Sequence, residues 1–211
     1  PKPKELIISK GINVSYGFRN DFSGRFQSSG SDFNINLNMK GNTYVGFGGY
    51  VNRERLTEDE FGAKRNTPQR PLQTGAFFGE PFRDATQGGT FFSFFKTFNK
   101  RFSADANVSF DFNTYDLDFG AGRRFPRVSP AALALGQGAP LDPGTGNQIS
   151  YSFGTNFKPT DTFTLSLGYN KTKLTRNDTD LVAFDSNIFQ FRTTYQFSRF
   201  VNFKARIDYN T

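Results

Sequence analysis

Ser186-Asn-Ile-Phe-Gln-Phe-Arg-Thr-Thr-Tyr-Gln-Phe-Ser-Arg-Phe-Val-Asn-Phe-Lys-Ala-Arg-Ile-Asp-Tyr-Asn-Thr211 is the stretch whose reading decides the fold. Its odd positions are Phe189, Phe191, Thr193, Tyr195 and Phe197, then Val201, Phe203, Ala205, Ile207 and Tyr209. Its even positions are Gln190, Arg192, Thr194 and Gln196, then Asn202, Lys204, Arg206, Asp208 and Asn210. A strict period of two on both sides of a tight Ser198-Arg199-Phe200 turn predicts a long β-hairpin with one aromatic and one charged face. Sustained over about ten residues, this alternation is what a membrane-spanning barrel strand requires.

The same pattern recurs through the chain. Ile12, Val14, Tyr16 and Phe18 alternate with polar or glycine neighbours, and Phe33, Ile35, Leu37 and Met39 with Asn34, Asn36, Asn38 and Lys40. Later come Ala106, Val108, Phe110 and Phe112, then Ile149, Tyr151, Phe153 and Phe157, then Phe163, Leu165, Leu167 and Tyr169. The strand near 43–55 holds Gly46, Gly48 and Gly49, which leaves its facing open between Val45, Phe47 and Val51 on one side and Tyr44 and Tyr50 on the other. Thr90–Phe98 carries phenylalanine on both faces, which suggests one side in lipid and the other packed under a loop or plug. Lys40-Gly41-Asn42 reads as a short turn using positive φ at glycine. Residues 5–8, ending at a turn-like Ser9-Lys10-Gly11, read as the stub of a further strand.

Connections near 20–31, 56–87, 117–147 and 175–185 read as long, those near 40–42, 99–102, 158–162 and 197–200 as short. Outer-membrane barrels sort their loops in this way, with short periplasmic turns and long extracellular loops. The expectation is an all-β, antiparallel, up-and-down transmembrane β-barrel, with residues 1–211 as a section of one barrel domain. Nine strands and a stub, against the even numbers of bacterial single-chain barrels, suggest part of a larger barrel. The small apolar run Pro130–Leu135 fits one or two helical turns.

Composition sharpens this. Of 211 residues 36% are hydrophobic, yet 28 are Phe and 8 Tyr. Low mean hydropathy (−0.57) with abundant aromatics fits apolar residues placed at alternate positions, since disorder depletes aromatics. Cysteine and histidine are both absent, which excludes disulfides, thiol nucleophiles, Ser-His-Asp hydrolysis and imidazole zinc sites in this chain. No catalytic, cofactor or metal residues are assigned, and an enzyme is not expected. The net charge of +7 is spread through turns and polar faces with no dense basic run beyond Arg123-Arg124, so nucleic acid is not the expected partner. Without initiator Met or signal peptide, the chain reads as a mature or internal segment.

Two groups of residues stand out. Arg192, Lys204 and Arg206, with Asp208 and Asp111 as partners, form a polar wall that either tunes permeation or simply ion-pairs inside a wet interior. Phe157, Phe197, Phe200, Phe203 and Tyr209, at or near strand ends, read as an interfacial aromatic girdle rather than ordinary hairpin packing. The acidic groups Glu58-Asp59-Glu60, Asp116/Asp118 and Asp178/Asp180 lack the spacing of a calcium loop, and Gly120-Ala-Gly122 lacks the context of a phosphate loop.

The run Arg192-Thr-Thr-Tyr-Gln-Phe-Ser-Arg-Phe, Val201 to Asp208 and Tyr209-Asn-Thr211 resembles the penultimate hairpin of a bacterial outer-membrane barrel family of unknown function. Its members carry an N-terminal domain similar to carbohydrate-binding module family 9 ahead of a C-terminal barrel. The resemblance implies further strands after Tyr-Asn-Thr, a place in the outer membrane of a Gram-negative bacterium, and no catalytic residues to carry over. The expected function is a membrane anchor or a porin-like pore for a polar solute such as a saccharide. Its expected partners are outer-membrane lipid and other outer-membrane or periplasmic proteins. The alternatives are a fragment of a TonB-type uptake receptor or a soluble β-barrel or sandwich binding protein that buries the aromatic face.

Overall fold

The computed structural model describes residues 6–61, 76–117, 125, 127–136 and 139–211. Nine strands form one sheet in chain order: β1 Ile7–Asn20, β2 Phe26–Met39, β3 Thr43–Thr57, β4 Phe82–Asn99, β5 Phe102–Asp116, β6 Gly144–Thr160, β7 Phe163–Arg176, β8 Val182–Gln196 and β9 Asn202–Asn210. Every neighbouring pair is antiparallel. The all-β, antiparallel, up-and-down expectation holds. One short helix, α1 (Pro130–Leu135), is capped by Ser129, whose hydroxyl accepts from the Ala132 amide.

Three expectations are corrected. The stub at 5–8 is not a separate strand, because Lys10 pairs with Leu37 and Gly11 with Asn36 inside β1. A partner strand long enough to reach past the turn-like Ser-Lys-Gly outweighs its local preference. The connections at 20–31 and 175–185 shrink to residues 21–25 and 177–181. Ser28–Ser31 are laddered to β1 on one side and to β3 on the other, so this polar stretch is strand. The two long connections contract to 58–81 and 117–143, and the turn at 197–201 is as long as that at 21–25. Loop lengths are therefore sorted by two long loops at one end, not by a strict alternation. At the other end, Gly41 (φ 75°) and Asn42 (φ 48°) make the tight turn expected there.

Register settles the facing of the glycine-rich β3. Phe47 lies between Ile35 and Phe92, and Val45 between Leu37 and Phe94, so Val45, Phe47 and Val51 share the apolar face. Tyr44, Tyr50, Phe91 and Phe95 lie on the polar face with Asn34, Asn36 and Asp111. The apolar face is not buried: Phe33 is 42% and Phe189 49% exposed, and Ile35 and Phe191 are exposed too.

The apolar residues form a band that runs diagonally across the ladder. The row that starts at Lys10 passes through Leu37, Val45, Phe94, Ala106 and Phe153 to end on Tyr169, Phe189 and Tyr209. The next row starts at Ile12 and Ile35, runs through Phe47, Phe92, Val108 and Tyr151, and ends on Lys171 and Asn187. One row goes from polar to aromatic, its neighbour from apolar to polar. The hairpin turns descend the same way. Thr43 is in the last pair before the β2–β3 turn, and its row reaches Ile207 on β9, five residues above Asn202 in the last pair of β8–β9.

The packed core sits at the long-loop end, on the polar side of the sheet. Leu56, Ala76, Phe77 and Leu141 cluster with Phe61, Tyr115 and Leu117. A second cluster joins Val128, Leu174 and Ala183, and a third Ala131, Ala132 and Ala139. Leu56 and Leu174 occupy polar-face positions, so the loops fold over that face. The two long loops are tied together by the Phe78 amide donating to the Leu141 carbonyl (2.7 Å) and the Leu141 amide to that of Ala76 (3.1 Å).

Candidate functional site

The polar face carries groups of cross-strand side-chain hydrogen bonds. Asn34 Oδ1 accepts from Asn13 (2.9 Å) and Asn36 (2.8 Å), and Asn36 Oδ1 accepts from the Tyr44 hydroxyl (2.7 Å). The Tyr50 hydroxyl donates to Asp111 (3.0 Å), Asn107 donates to Ser152 (3.3 Å), and Ser15 donates to Asp32. Cross-strand side-chain pairs of this kind stabilise a sheet from one face.

Glycine opposite an aromatic ring is the recurring local device on this wall. A Cβ on Gly48 would come within 2.6 Å of the Phe91 ring, one on Gly89 within 2.6 Å of the Tyr50 ring, and one on Gly46 within 2.8 Å of the Tyr44 hydroxyl. Each ring can therefore lie down over the backbone. The same added Cβ would come within 2.5 Å of the Phe33 carbonyl oxygen, where backbone cannot yield. Gly48→Val is expected to destabilise the sheet by about 1–3 kcal/mol, read by urea titration of the folded protein, and a loss near zero would show that the ring is not seated there.

At the long-loop end two arginines hold the cap. Arg176 is 1% exposed at its side chain and bonds Asp116 (3.0 Å), Asp178 (2.8 Å) and the Asp142 carbonyl (3.0 Å). Burial alone would lower its pKa, but the bonds to Asp178 and Asp116 win and raise it. Arg83 donates to Asp142 (3.0 Å) and to the carbonyls of Phe78 (2.6 Å) and Pro143 (3.1 Å), which pins both long loops to β4.

On the opposite face, above the apolar band, Arg53 and Arg55 grip Asp84 at 2.9 and 2.6 Å, and Arg55 lies over the Phe82 ring (5.4 Å). The hydrogen bond from Arg53, reinforced by Arg55, overcomes partial burial and holds the Asp84 carboxyl down at about 2. Its folded pKa is depressed, so its contribution to stability is full above the ordinary carboxylate value near ~3.9 and is lost as pH falls toward 2. A carboxyl NMR titration is expected to find the Asp84 midpoint near 2, rising in Arg53→Gln, and a midpoint unmoved by that substitution would refute the pairing.

The residues expected to form a charged wall are only partly brought together. Arg192, Lys204, Arg206 and Asp208 share the polar face of β8–β9, with Arg206 bonded to Asp208 (2.6 Å). Arg192 stands directly opposite Arg206, a like-charge pair that exposure to solvent makes tolerable. Asp111 is not their partner. It lies on β5, three strands away, and is taken by Tyr50.

The five expected girdle aromatics divide between the two borders of the apolar band. Phe157, Phe197, Phe200 and Phe203 lie at the short-turn end, whereas Tyr209 faces Phe189 at the other border. Phe98 with Phe102 (ring centroids 5.2 Å apart) and Tyr195 with Phe197 (4.6 Å) extend the first group. Their signal in the sequence is proximity to the same short turns.

Several carboxylates of the acidic groups are committed to neighbouring donors. Asp59 pairs with Arg25 (2.9 Å), Glu60 accepts from Gln27 (3.0 Å), and Asp178 binds Arg176. Asp118, Gly120–Gly122 and Arg123-Arg124 lie outside the described residues. Comparison with protein-family models, with curated proteins and with solved structures found no match for this chain.

Proposed function

We propose that this chain is wall of a transmembrane β-barrel in a Gram-negative outer membrane, with its apolar face in lipid and its polar face lining a wet lumen. It serves as an anchor or as a pore for a polar solute. The diagonal apolar band carries this reading. Its turns descend five residues over the six strand-to-strand steps from β3 to β9. With ~3.4 Å per residue along a strand and ~4.8 Å between strands, that stagger corresponds to a strand tilt of roughly 30°. Membrane barrels tilt their strands by about 35–45°.

The band also has a suitable height. Ala104–Phe112 on β5 and Ile149–Phe157 on β6 each span about 27 Å along the strand, or roughly 24 Å across a membrane at that tilt, against the ~25 Å apolar belt of such barrels. The exposed Phe33, Ile35, Phe189 and Phe191 argue against the soluble reading, which needs these side chains in a dry core.

Solubilisation and electrophoresis test this. The protein is expected to leave membranes only in detergent, and to migrate faster unheated than boiled in dodecyl sulfate. Release into buffer without detergent, as a folded monomer, would overturn the proposal.

A further inference from the structure

We propose that the aromatic stripe on the polar face is a gliding surface for a linear oligosaccharide; this rests on the pore reading above. Phe95, Tyr44, Phe91 and Tyr50 follow one another along β3 and β4, with Phe95 opposite Tyr44, Phe91 opposite Gly48 and Tyr50 opposite Gly89. From Tyr44 to Tyr50 the stripe runs about 20 Å, the length of several linked sugar rings.

Exposed aromatic rings on an otherwise polar wall need a reason, because apolar area left in water is unfavourable. Among the described residues, packing under the cap does not supply one. The described loop residues settle on Leu56 and Leu174, further along the strands, while Phe91 and Phe95 keep 38% and 41% of their surface open.

The chemistry beside the stripe selects the ligand. A pyranose has an apolar face of C–H groups and a rim of hydroxyls. It fits a ring laid against a wall with planar carboxamides and carboxylates at its edge. Asn34 and Asn36 on β2 flank the stripe on one side and Asp111 on β5 on the other. Two of the rings are held at their hydroxyls by these same groups, Tyr44 by Asn36 and Tyr50 by Asp111. Asp32 on β2 stands opposite Tyr50 and Asp105 on β5 opposite Phe95, so groups that accept hydrogen bonds from sugar hydroxyls edge the stripe at both ends. A linear stripe suits a ligand that advances from ring to ring, with the loop cap at one end of its path.

Single-channel recording in planar bilayers tests the inference, with calorimetry on the detergent-solubilised protein beside it. Maltohexaose and cellohexaose are the probes. At least one is expected to interrupt the potassium chloride current saturably, with a midpoint below about 10 mM. Phe91→Leu and Tyr50→Ala are each expected to weaken that block about tenfold, and a block unchanged in both variants overturns the stripe as its site. Conductance with no interruption by either sugar, and no heat of binding, overturns the saccharide assignment and leaves the pore standing. Binding by calorimetry without conductance supports the stripe and overturns the open pore. The absence of both overturns both.

Discussion

Val108→Arg is expected to destabilise the lipid-folded protein by about 2–4 kcal/mol, the range for an arginine at the middle of a barrel's lipid face. Asn107→Arg, one residue away, is expected to change stability by less than about 1 kcal/mol. The contrast follows from register alone. Val108 stands between Phe92 and Tyr151 on the apolar face, whereas Asn107 stands between Ser93 and Ser152 on the polar one. In the proposed barrel a guanidinium at 107 meets hydroxyls and water, while at 108 it meets hydrocarbon or forces the bilayer to thin around it. Urea titration of both variants folded into phospholipid vesicles reads the difference. Equal losses, or a larger loss at 107, would place the apolar face somewhere other than in lipid.

Arg176→Ala is the second large effect. The residue ties β7 to Asp116 on β5 and to the Asp142 carbonyl in the second long loop. Removing one member of a buried ion pair typically costs about 3–5 kcal/mol, because the remaining charge loses its counterion in a site closed to water. Here the loss falls on the cap before the sheet, whose ladder does not depend on Arg176. Amide exchange and limited proteolysis are therefore expected to show loops 58–81 and 117–143 opening while the strands stay protected, and on the proposed pore reading the current is expected to rise. Unchanged loop protection would mean that the hydrophobic clusters hold the cap without the arginine.

The sheet and its cap differ in how far each is legible in the sequence. The alternation at Phe189–Tyr195 or Phe33–Met39 depends only on which residues are apolar, so strand type and number are legible there. Where both faces turn polar the signal vanishes. Ser28–Ser31 reads as a loop and is strand, because nothing in its composition separates its two sides once it leaves the apolar band. The facing of β3 is hidden by Gly46, Gly48 and Gly49, which have no side chain to mark a face. The cross-strand partners Ile35 and Phe92 decide it.

The cap is invisible in the sequence for a different reason. Arg83 and Asp142 are 59 residues apart in sequence and Arg176 and Asp116 are 60, so no local pattern joins them. In the candidate site, Arg192, Lys204, Arg206 and Asp208 are legible because alternation places them. The aromatic stripe is not, since Phe91 and Phe95 read as a second apolar face until register puts them beside Tyr44 and Gly48.

The nearest-neighbour order of the sheet has a temporal consequence. Each strand pairs only with those before and after it in the chain, so most of the wall can be laid down hairpin by hairpin, with small loops to close each time. The contacts of Arg83 and Arg176 break that locality, spanning whole hairpins. Arg83 cannot meet Asp142, nor Arg176 meet Asp116, until the strands between them are in register, so the wall assembles progressively and the cap closes only after the strands it spans.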